Sequence, residues 1–303
     1  MSWKRVGLVY APDGTKPWAR SHAALPIPVR IAPDTFRFFF STRDDAQRSH
    51  VGWVDIDLSC SPCILCEASE PALAPGVDGT FDDSGIGIGS LTPIGDEMRL
   101  YYMGWNLGLR IPWHNAIGFA VARAPFNRFE RFSPGPILDR SPEDPYTLSY
   151  PYVLRRGPED WWMWYGSNLT PDVSDDRMQH AIKVRRSRDG IHWQCNGTMV
   201  IGFGAPDEYA MARPSVIESD KGFLMCFSCR GDHYRIGCAS STDGIKWTRI
   251  DATMGLDRSS NGWDSEMVSY PAMFRHRDRL WLAYNGNGYG ATGFGLAVWE
   301  PNS

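Results

Sequence analysis

Asp207–Trp247 reads DEYAMARPSVIESDKGFLMCFSCRGDHYRIGCASSTDGIKW, and this stretch decides the fold. An acidic opening leads into a proline-containing strand, ARPSVIES, and Lys221-Gly222 makes a turn. A second strand, FLMCFSC, ends in the polar loop Arg230–His233. A third, YRIGCASS, ends in the turn Thr242-Asp243-Gly244, and Trp247 opens a fourth. Alternating apolar residues with Gly, Asp and Asn at the turns predict a four-stranded antiparallel meander.

The same plan continues on both sides. SYPAMFRH, RLWLAYNG and GFGLAVW follow the stretch, and SYPYVLRR, DWWMWYGSN and HAIKVRRSRDGIHW precede it. Earlier come DDSGIGIGSL, MRLYYMGWN and NAIGFAVARAPFNRFER, and first of all LPIPVRIA, TFRFFFSTRD and SHVGWVDIDL. Pro151, Pro214 and Pro271 recur at intervals of 63 and 57 residues, somewhat above the roughly 50 of common propeller blades. Five copies predict an all-β, five-bladed β-propeller, with residues 1–303 as a single domain. The last copy stops at Trp299-Glu300 after its third strand, while Trp3–Val9 reads as a fourth strand opened by Trp. The N-terminal strand is therefore expected to complete the last blade and close the ring, leaving no free sheet edge across it.

Composition narrows the function classes. Aromatic residues make up 13% and Trp alone numbers 13, which suits blade-to-blade packing first and sugar stacking second. A formal net charge of −4 argues against nucleic acid or an anionic membrane as partner. No apolar run approaches the roughly 20 residues of a membrane span and no apolar signal core opens the chain, so a cytoplasmic location is expected. The seven cysteines, odd in number and sparse, are expected as reduced thiols. Cys226 and Cys229 lie in one strand, where a spacing of three puts them on opposite faces, and Cys60, Cys63 and Cys66 lack a placed fourth ligand. No metal and no cofactor is expected. Gly85–Leu91 reads as a strand, not a phosphate cradle, since no helix follows it.

Antiparallel alternation puts the loop leading into each first strand at the same end as the loop joining the second strand to the third. The turns Ser187–Gly190 and Ser241–Gly244 fall at the opposite end and read as scaffold. The first end collects the chemistry: His22 and Arg43 from the first copy; Asp82, Asp83, Trp105, Asn106 and His114 from the second; Tyr150 and His180 from the third; Glu208, Arg213 and Arg230 from the fourth; Asp264, Glu266, Tyr270, Asn285 and Asn287 from the fifth. First strands line a propeller's channel, so carboxylates from different blades could face one molecule. Glycoside cleavage needs two such groups, one protonated and one ionised. Indole faces with Asn and Arg donors suit a polyhydroxylated ligand.

Plainer readings stand beside these. Asp82 in Asp-Asp-Ser-Gly is also a turn residue; Glu208 and Glu266 are not turn formers. His50, His114, His180 and His233 recur by repeat symmetry, and a ring of four is too wide for one metal. Arg213, just before Pro214 on an inner strand, is expected to hold a carboxylate or contact an anionic group.

The stretches GTFDDSGI, YYMGWN, ARPSV, GWDSEM and YNGNGYGATGFG, with the S-x-D-G-x-x-W turns, resemble the five-bladed glycoside hydrolase superfamily that includes families 32, 43, 68 and 130. More narrowly, the chain resembles glycosidase-like propellers of bacterial surface-polysaccharide gene clusters. The resemblance implies catalytic carboxylates on the loops leading into the first three blades. Here His22 stands where an acid is expected, Asp82-Asp83 is kept, and Glu143 or Asp144 lies ahead of the third blade. Glu208, Asp264 and Glu266 add acids in the last two.

The sequence is thus read as a glycoside hydrolase-like enzyme acting on a glycan or its precursor. Asp83 is base or nucleophile, Glu208 or Glu266 the acid, and Arg213 and His22 support them. The alternatives are a phosphorylase or sugar transferase, for which Arg43, Arg110, Arg213, Arg230 and His180 would hold phosphate, and a non-catalytic carbohydrate-binding propeller. The expected partner is a carbohydrate, with the oligomeric state left open.

Overall fold

In the computed structural model, residues 2–171 and 178–300 are described, and they form an all-β chain with two short helical turns. Strand β1 (Ser2–Tyr10) stands first. A first unit follows as β2 (Ser21–Arg30), β3 (Thr35–Arg43), β4 (Val51–Asp57) and β5 (Cys63–Glu67). A second is β6 (Gly85–Ile94), β7 (Glu97–Leu107), β8 (Trp113–Arg123) and β9 (Glu130–Arg131). The third is β10 (Leu148–Gly157), β11 (Asp160–Asn168), β12 (His180–Ser187) and β13 (Thr198–Ile201). The fourth, built from the stretch that opened the sequence, is β14 (Ala210–Ser219), β15 (Gly222–Arg230), β16 (Tyr234–Ser241) and β17 (Thr248–Arg249). Last come β18 (Ser269–His276), β19 (Arg279–Asn285) and β20 (Phe294–Glu300).

Within each unit neighbouring strands pair antiparallel, and β1 pairs with β20, matching Trp3 to Trp299. The third and fourth units share one sheet through a single parallel bridge, His180 to Ala210. The first strands pack on one another in succession: β2 on β6, β6 on β10, β10 on β14, β14 on β18 and β18 on β2. The core lies between units. Phe36, Phe38, Phe274 and Phe294 fill one seam, and Trp162, Trp164 and Phe223 fill another.

The Ser-x-Asp-Gly turns are scaffold, as their sequence predicts. Ser187 Oγ accepts from Gly190 N at 3.0 Å, while Asp189 Oδ1 accepts from Ile191 N and His192 N at 2.8 Å each. Ser241 and Asp243 repeat the arrangement with Gly244, Ile245 and Lys246. The cysteines depart from expectation. Cys226 and Cys238, opposite one another on β15 and β16, form a disulfide, whereas Cys60, Cys63, Cys66 and Cys195 are exposed free thiols and Cys229 a buried one. Face alternation separates Cys226 from Cys229 along one strand, but it places Cys238 directly across the ladder from Cys226, within bonding reach.

Candidate active site

The acids leading into the first strands divide into two groups, and most are structural. Asp82 is fully buried, accepting from Tyr102 Oη at 2.9 Å and Arg131 Nε at 2.8 Å. Asp144 accepts from Tyr165 Oη at 2.8 Å, Ser167 Oγ and Lys183 Nζ at 2.6 Å each, and Arg185. Asp264 accepts from Tyr284 Oη at 2.9 Å and Arg5 Nε at 3.0 Å. Tyr102, Tyr165 and Tyr284 hold one register position in the second strands of their units. Each carboxylate thus ties a leading loop to its own sheet with a hydroxyl and at least one cation.

In the fourth unit Phe227 holds that register position and has no hydroxyl to offer. The longer Glu208 compensates. It accepts from Arg249 Nη1 at 2.5 Å, Arg235 Nη2 at 2.5 Å, Gly204 N at 2.6 Å and Cys229 Sγ at 3.1 Å, and Arg249 lies over the Phe227 ring. Burial works to raise its carboxyl, but Arg249, Gly204 and Cys229 outweigh that and hold it down at about 2. Glu208 therefore has no proton to give at neutral pH. The catalytic-acid role expected for it is corrected: a buried ionised carboxylate filled with donors is a tie. Asp82 and Asp264, expected to contact sugar, are corrected by their bonds alone, each being buried and taken up by a tyrosine hydroxyl and an arginine.

The first strands of all five units carry bulges. The ladder between first and second strands slips between Ala24 and Ile27, Ile88 and Ser90, Ser149 and Tyr152, Ala212 and Ser215, and Ser269 and Ala272. At four of these bulges the residue before proline takes a left-handed φ: Leu25 at 59°, Tyr150 at 46°, Arg213 at 54° and Tyr270 at 56°. Such backbone costs about 1–3 kcal/mol per residue and gathers at functional sites. At the remaining bulge Gly89 replaces proline, since a Cβ there would overlap the Pro151 carbonyl oxygen.

Around these bulges lies a cluster of tyrosines and cations. Tyr150 and Tyr270 stand 5.5 Å apart with their hydroxyls at 3.3 Å, Tyr289 lies 6.4 Å from Tyr270, and Tyr234 lies 5.7 Å from Tyr289. Arg230 sits over the rings of Tyr209 and Tyr234, and Arg43 over that of Trp105. Arg213 is 1% exposed, and its one hydrogen bond goes to Pro214 O at 3.4 Å; its Nε has no partner among the described residues. Burial pushes it down to about 10, against the pull of Tyr152, Tyr150 and Tyr270, so it stays charged at neutral pH. Ser149 Oγ, Ser269 Oγ, His180 Nδ1 and both amide atoms of Asn168 are likewise buried without a partner there.

The other expected residues have mixed fates. His180 is neutral at physiological pH, since burial with Arg230 beside it pushes it down to about 4. His22 bonds Ser21 Oγ at 2.8 Å and is held below the ordinary histidine value by burial and by Arg43. Asp83 is half-buried, accepting from Gly79 N at 3.0 Å, Asn106 Nδ2 at 2.8 Å and Ser84 Oγ at 2.8 Å. Burial works against ionisation there, but these bonds hold it below the usual carboxylate range. Glu266 is exposed, and its backbone N donates to Asn287 Oδ1 at 2.8 Å. Asn285 is a correction: its amide is consumed by Leu25 N, Ala23 O and Gly293 O. Asn287 bridges Glu266 and Gly262, Asn106 braces Asp83, and His114 pairs with Asp139 at 2.9 Å. Tyr209 and Tyr234 are new to the cluster. Tyr234 opens its third strand at the register position where His180 opens its own, so repeat alignment by position, rather than by residue type, would have found it.

A cavity of about 510 Å³ opens toward the other end, between the C-terminal halves of β6 and β10, lined by Leu91, Pro93, Tyr152, Leu154 and Arg155 among others. No carboxylate lines it.

No protein-family model matches the chain. Two Mycobacterium tuberculosis proteins, described as "Uncharacterized protein Rv1502" and "Uncharacterized protein MT1551", are each 44% identical to it over 302 residues, covering 99% of this chain and all of theirs. Among solved structures, a glycosyl hydrolase from Bacteroides ovatus superposes with a TM-score of 0.75 at 13% identity, over 99% of this chain and 94% of that one. A thermostable family-43 glycoside hydrolase gives 0.71 at 11%, over 93% and 91%. Beta-1,2-mannobiose phosphorylase from Listeria innocua gives 0.72 at 13%, over 99% and 96%. The chain has the propeller-type fold of these glycoside hydrolases and phosphorylases.

Proposed function

The chain belongs to the family of these two mycobacterial proteins, and from that premise and its fold we propose that it is a glycoside-active enzyme whose carbohydrate substrate carries, or is attacked by, an anionic group. Its four-stranded units are read as the five blades of one closed propeller, a single domain with the reacting sugar held at the axis. The observation that carries the reading is Arg213. An arginine has five N–H donors, and here one weak acceptor serves a guanidinium that is 1% exposed. A buried cation without a counter-charge is costly, and an oxyanion on the ligand would complete it. Arg43 and Arg230 supply further charge beside the same tyrosines.

The anion is phosphate in the favoured version. A phosphate oxygen, or the phosphate of an activated sugar, makes or leaves the bond at the anomeric carbon, while a carboxylic acid protonates the departing oxygen. Asp83, ionised, orients or activates the nucleophile, and Glu266 is the candidate acid. Plain hydrolysis by these two carboxylates is the second reading, favoured by the ionised state of Asp83. The test is a panel of oligosaccharides assayed with and without inorganic phosphate, for the wild type and Arg213→Gln. Phosphate-dependent cleavage lost in the variant is expected. Equal cleavage without phosphate in both proteins would refute the anionic reading, and binding of intact oligosaccharide without turnover would favour the lectin-like alternative.

A further inference from the structure

Cys60, Cys63 and Cys66 stand three apart in sequence, and in a regular strand that spacing sends successive thiols to opposite faces. Strand β5 is not regular. Asp57 faces Cys63 and Ile56 faces Ile64, yet Asp55 faces Cys66, so Leu65 is the extra residue of a bulge. Residues directly opposite in a ladder share a face, and so do Asp55 and Asp57, two apart on β4. The bulge therefore returns Cys63 and Cys66 to one face, opposite a length of β4 only two residues long, about 6.6 Å. Both thiols are free and exposed, on the outermost strand of the first unit.

A carboxylate supports the pair. Cys66 Sγ donates to Asp55 Oδ2 at 3.4 Å, and Arg37 Nε and Nη2 donate to Asp55 Oδ1 and Oδ2 at 2.7 and 2.8 Å. Arg37 and Asp55 are buried, so this carboxylate is committed to holding the thiol in place and is not free as a ligand. Burial and Asp55 keep the Cys66 thiol above its ordinary value, against the pull of Arg37. Among the described residues no three His, Cys, Asp or Glu side chains converge as a metal ion would need. That excludes a four-ligand zinc site, which is the ground on which the sequence argues against a metal. A soft monovalent ion needs less, since cuprous copper is satisfied by two thiolates in a line.

We infer that Cys63 and Cys66 form a dithiolate site for a soft thiophilic cation, cuprous copper, with Asp55 orienting one of the two sulfurs. Two metal–sulfur bonds of about 2.3 Å, the length found for thiolate on zinc, span up to about 4.6 Å. Side chains leaving the ladder about 6.6 Å apart close to that span by leaning together. The step is an exchange without change of oxidation state. The cuprous ion binds both sulfurs, the two S–H protons go to solvent, and the complex carries one negative charge. The site lies on the outer edge of its unit and owes nothing to the proposed reaction.

The experiment is an anaerobic titration of the whole chain with cuprous ion buffered by bicinchoninate, which needs neither carbohydrate nor turnover. The wild type is expected to take one ion per chain from the indicator, to release two protons, and to show two sulfur neighbours by X-ray absorption. Cys63→Ser and Cys66→Ser are each expected to weaken binding by more than the about 10–100-fold that loss of a supporting hydrogen bond costs, because a single thiolate remains. Cys60→Ser and Cys195→Ser, which remove other exposed thiols, are expected to bind as the wild type does. Melting curves of the two β5 variants should match the wild type, since both side chains are exposed, and this ties the loss to the ligands. A wild type that leaves all its copper with the indicator overturns the inference. So does a third sulfur neighbour, or a loss in Cys60→Ser equal to that in Cys63→Ser.

Discussion

Replacing Glu208 by Gln separates a structural tie from a catalytic acid. The change keeps the side chain's shape but leaves Arg235 and Arg249 without the charge they surround. Breaking a buried ion pair from one side costs about 3–5 kcal/mol. The drop of the carboxyl from 4.5 to about 2 gives an independent figure of about 3 kcal/mol at neutral pH, at 1.36 kcal/mol per tenfold. Arg249 keeps Asp251 as a second partner, which favours the lower end. An unfolding entropy of about 2.1 cal/mol/K per residue gives about 0.6 kcal/mol/K for this chain, so Tm should fall by about 5–8 °C. Calorimetry across pH adds a signature. A depressed carboxyl stabilises fully above its ordinary value and loses that contribution as pH falls from about 4.5 toward 2. The gap between wild type and variant should therefore close over that window. An unchanged Tm with turnover abolished would refute the reasoning and return Glu208 to the chemistry.

Asp83→Asn should leave Tm nearly unchanged, because Asn still accepts a hydrogen bond at a half-buried mouth, while turnover falls about 10²–10⁴-fold. Arg213→Met should be as stable as the wild type or more so, since it removes a buried unpaired cation. It should also lose the thermal shift given by inorganic phosphate, which at a hundred times Kd stabilises the wild type by about 2.7 kcal/mol, or about 4 °C. Cys226→Ala with Cys238→Ala should lower Tm by about 3–6 °C, from the about 2–4 kcal/mol that a native disulfide contributes. His180→Asn should leave the shape of any pH–rate profile between pH 5 and 8 unchanged, because a histidine held at about 4 is already neutral there.

The repeat was legible because the apolar alternation, the glycine turns and the recurrent prolines all report backbone geometry, which sequence encodes locally. The β1–β20 pairing was legible for the same reason, as Trp3 and Trp299 occupy matched ends of two strand-like runs. The roles of the acids were not. Whether Asp82 or Glu208 is free or tied depends on Arg131, Arg235 and Arg249, which arrive from third and fourth strands far along the chain and carry no mark of their destination. One signal was there to use: Tyr102, Tyr165 and Tyr284 recur at one register position, and a recurring hydroxyl beside a recurring acid points to a tie. Arg213 stood out from sequence because a cation before an inner-strand proline has few harmless explanations.

The bulges have a bearing on how such proteins diverge. Leu25, Ile88, Tyr150, Arg213 and Tyr270 occupy matched places beside the slips in the first-strand ladders, yet they range from aliphatic through phenolic to cationic. Because the slip belongs to the main chain, a side chain there can be exchanged without shifting the pairing of the strands that carry it. Substitution at these five places gives relatives a route to a new ligand preference, leaving the surrounding frame to be inherited unaltered.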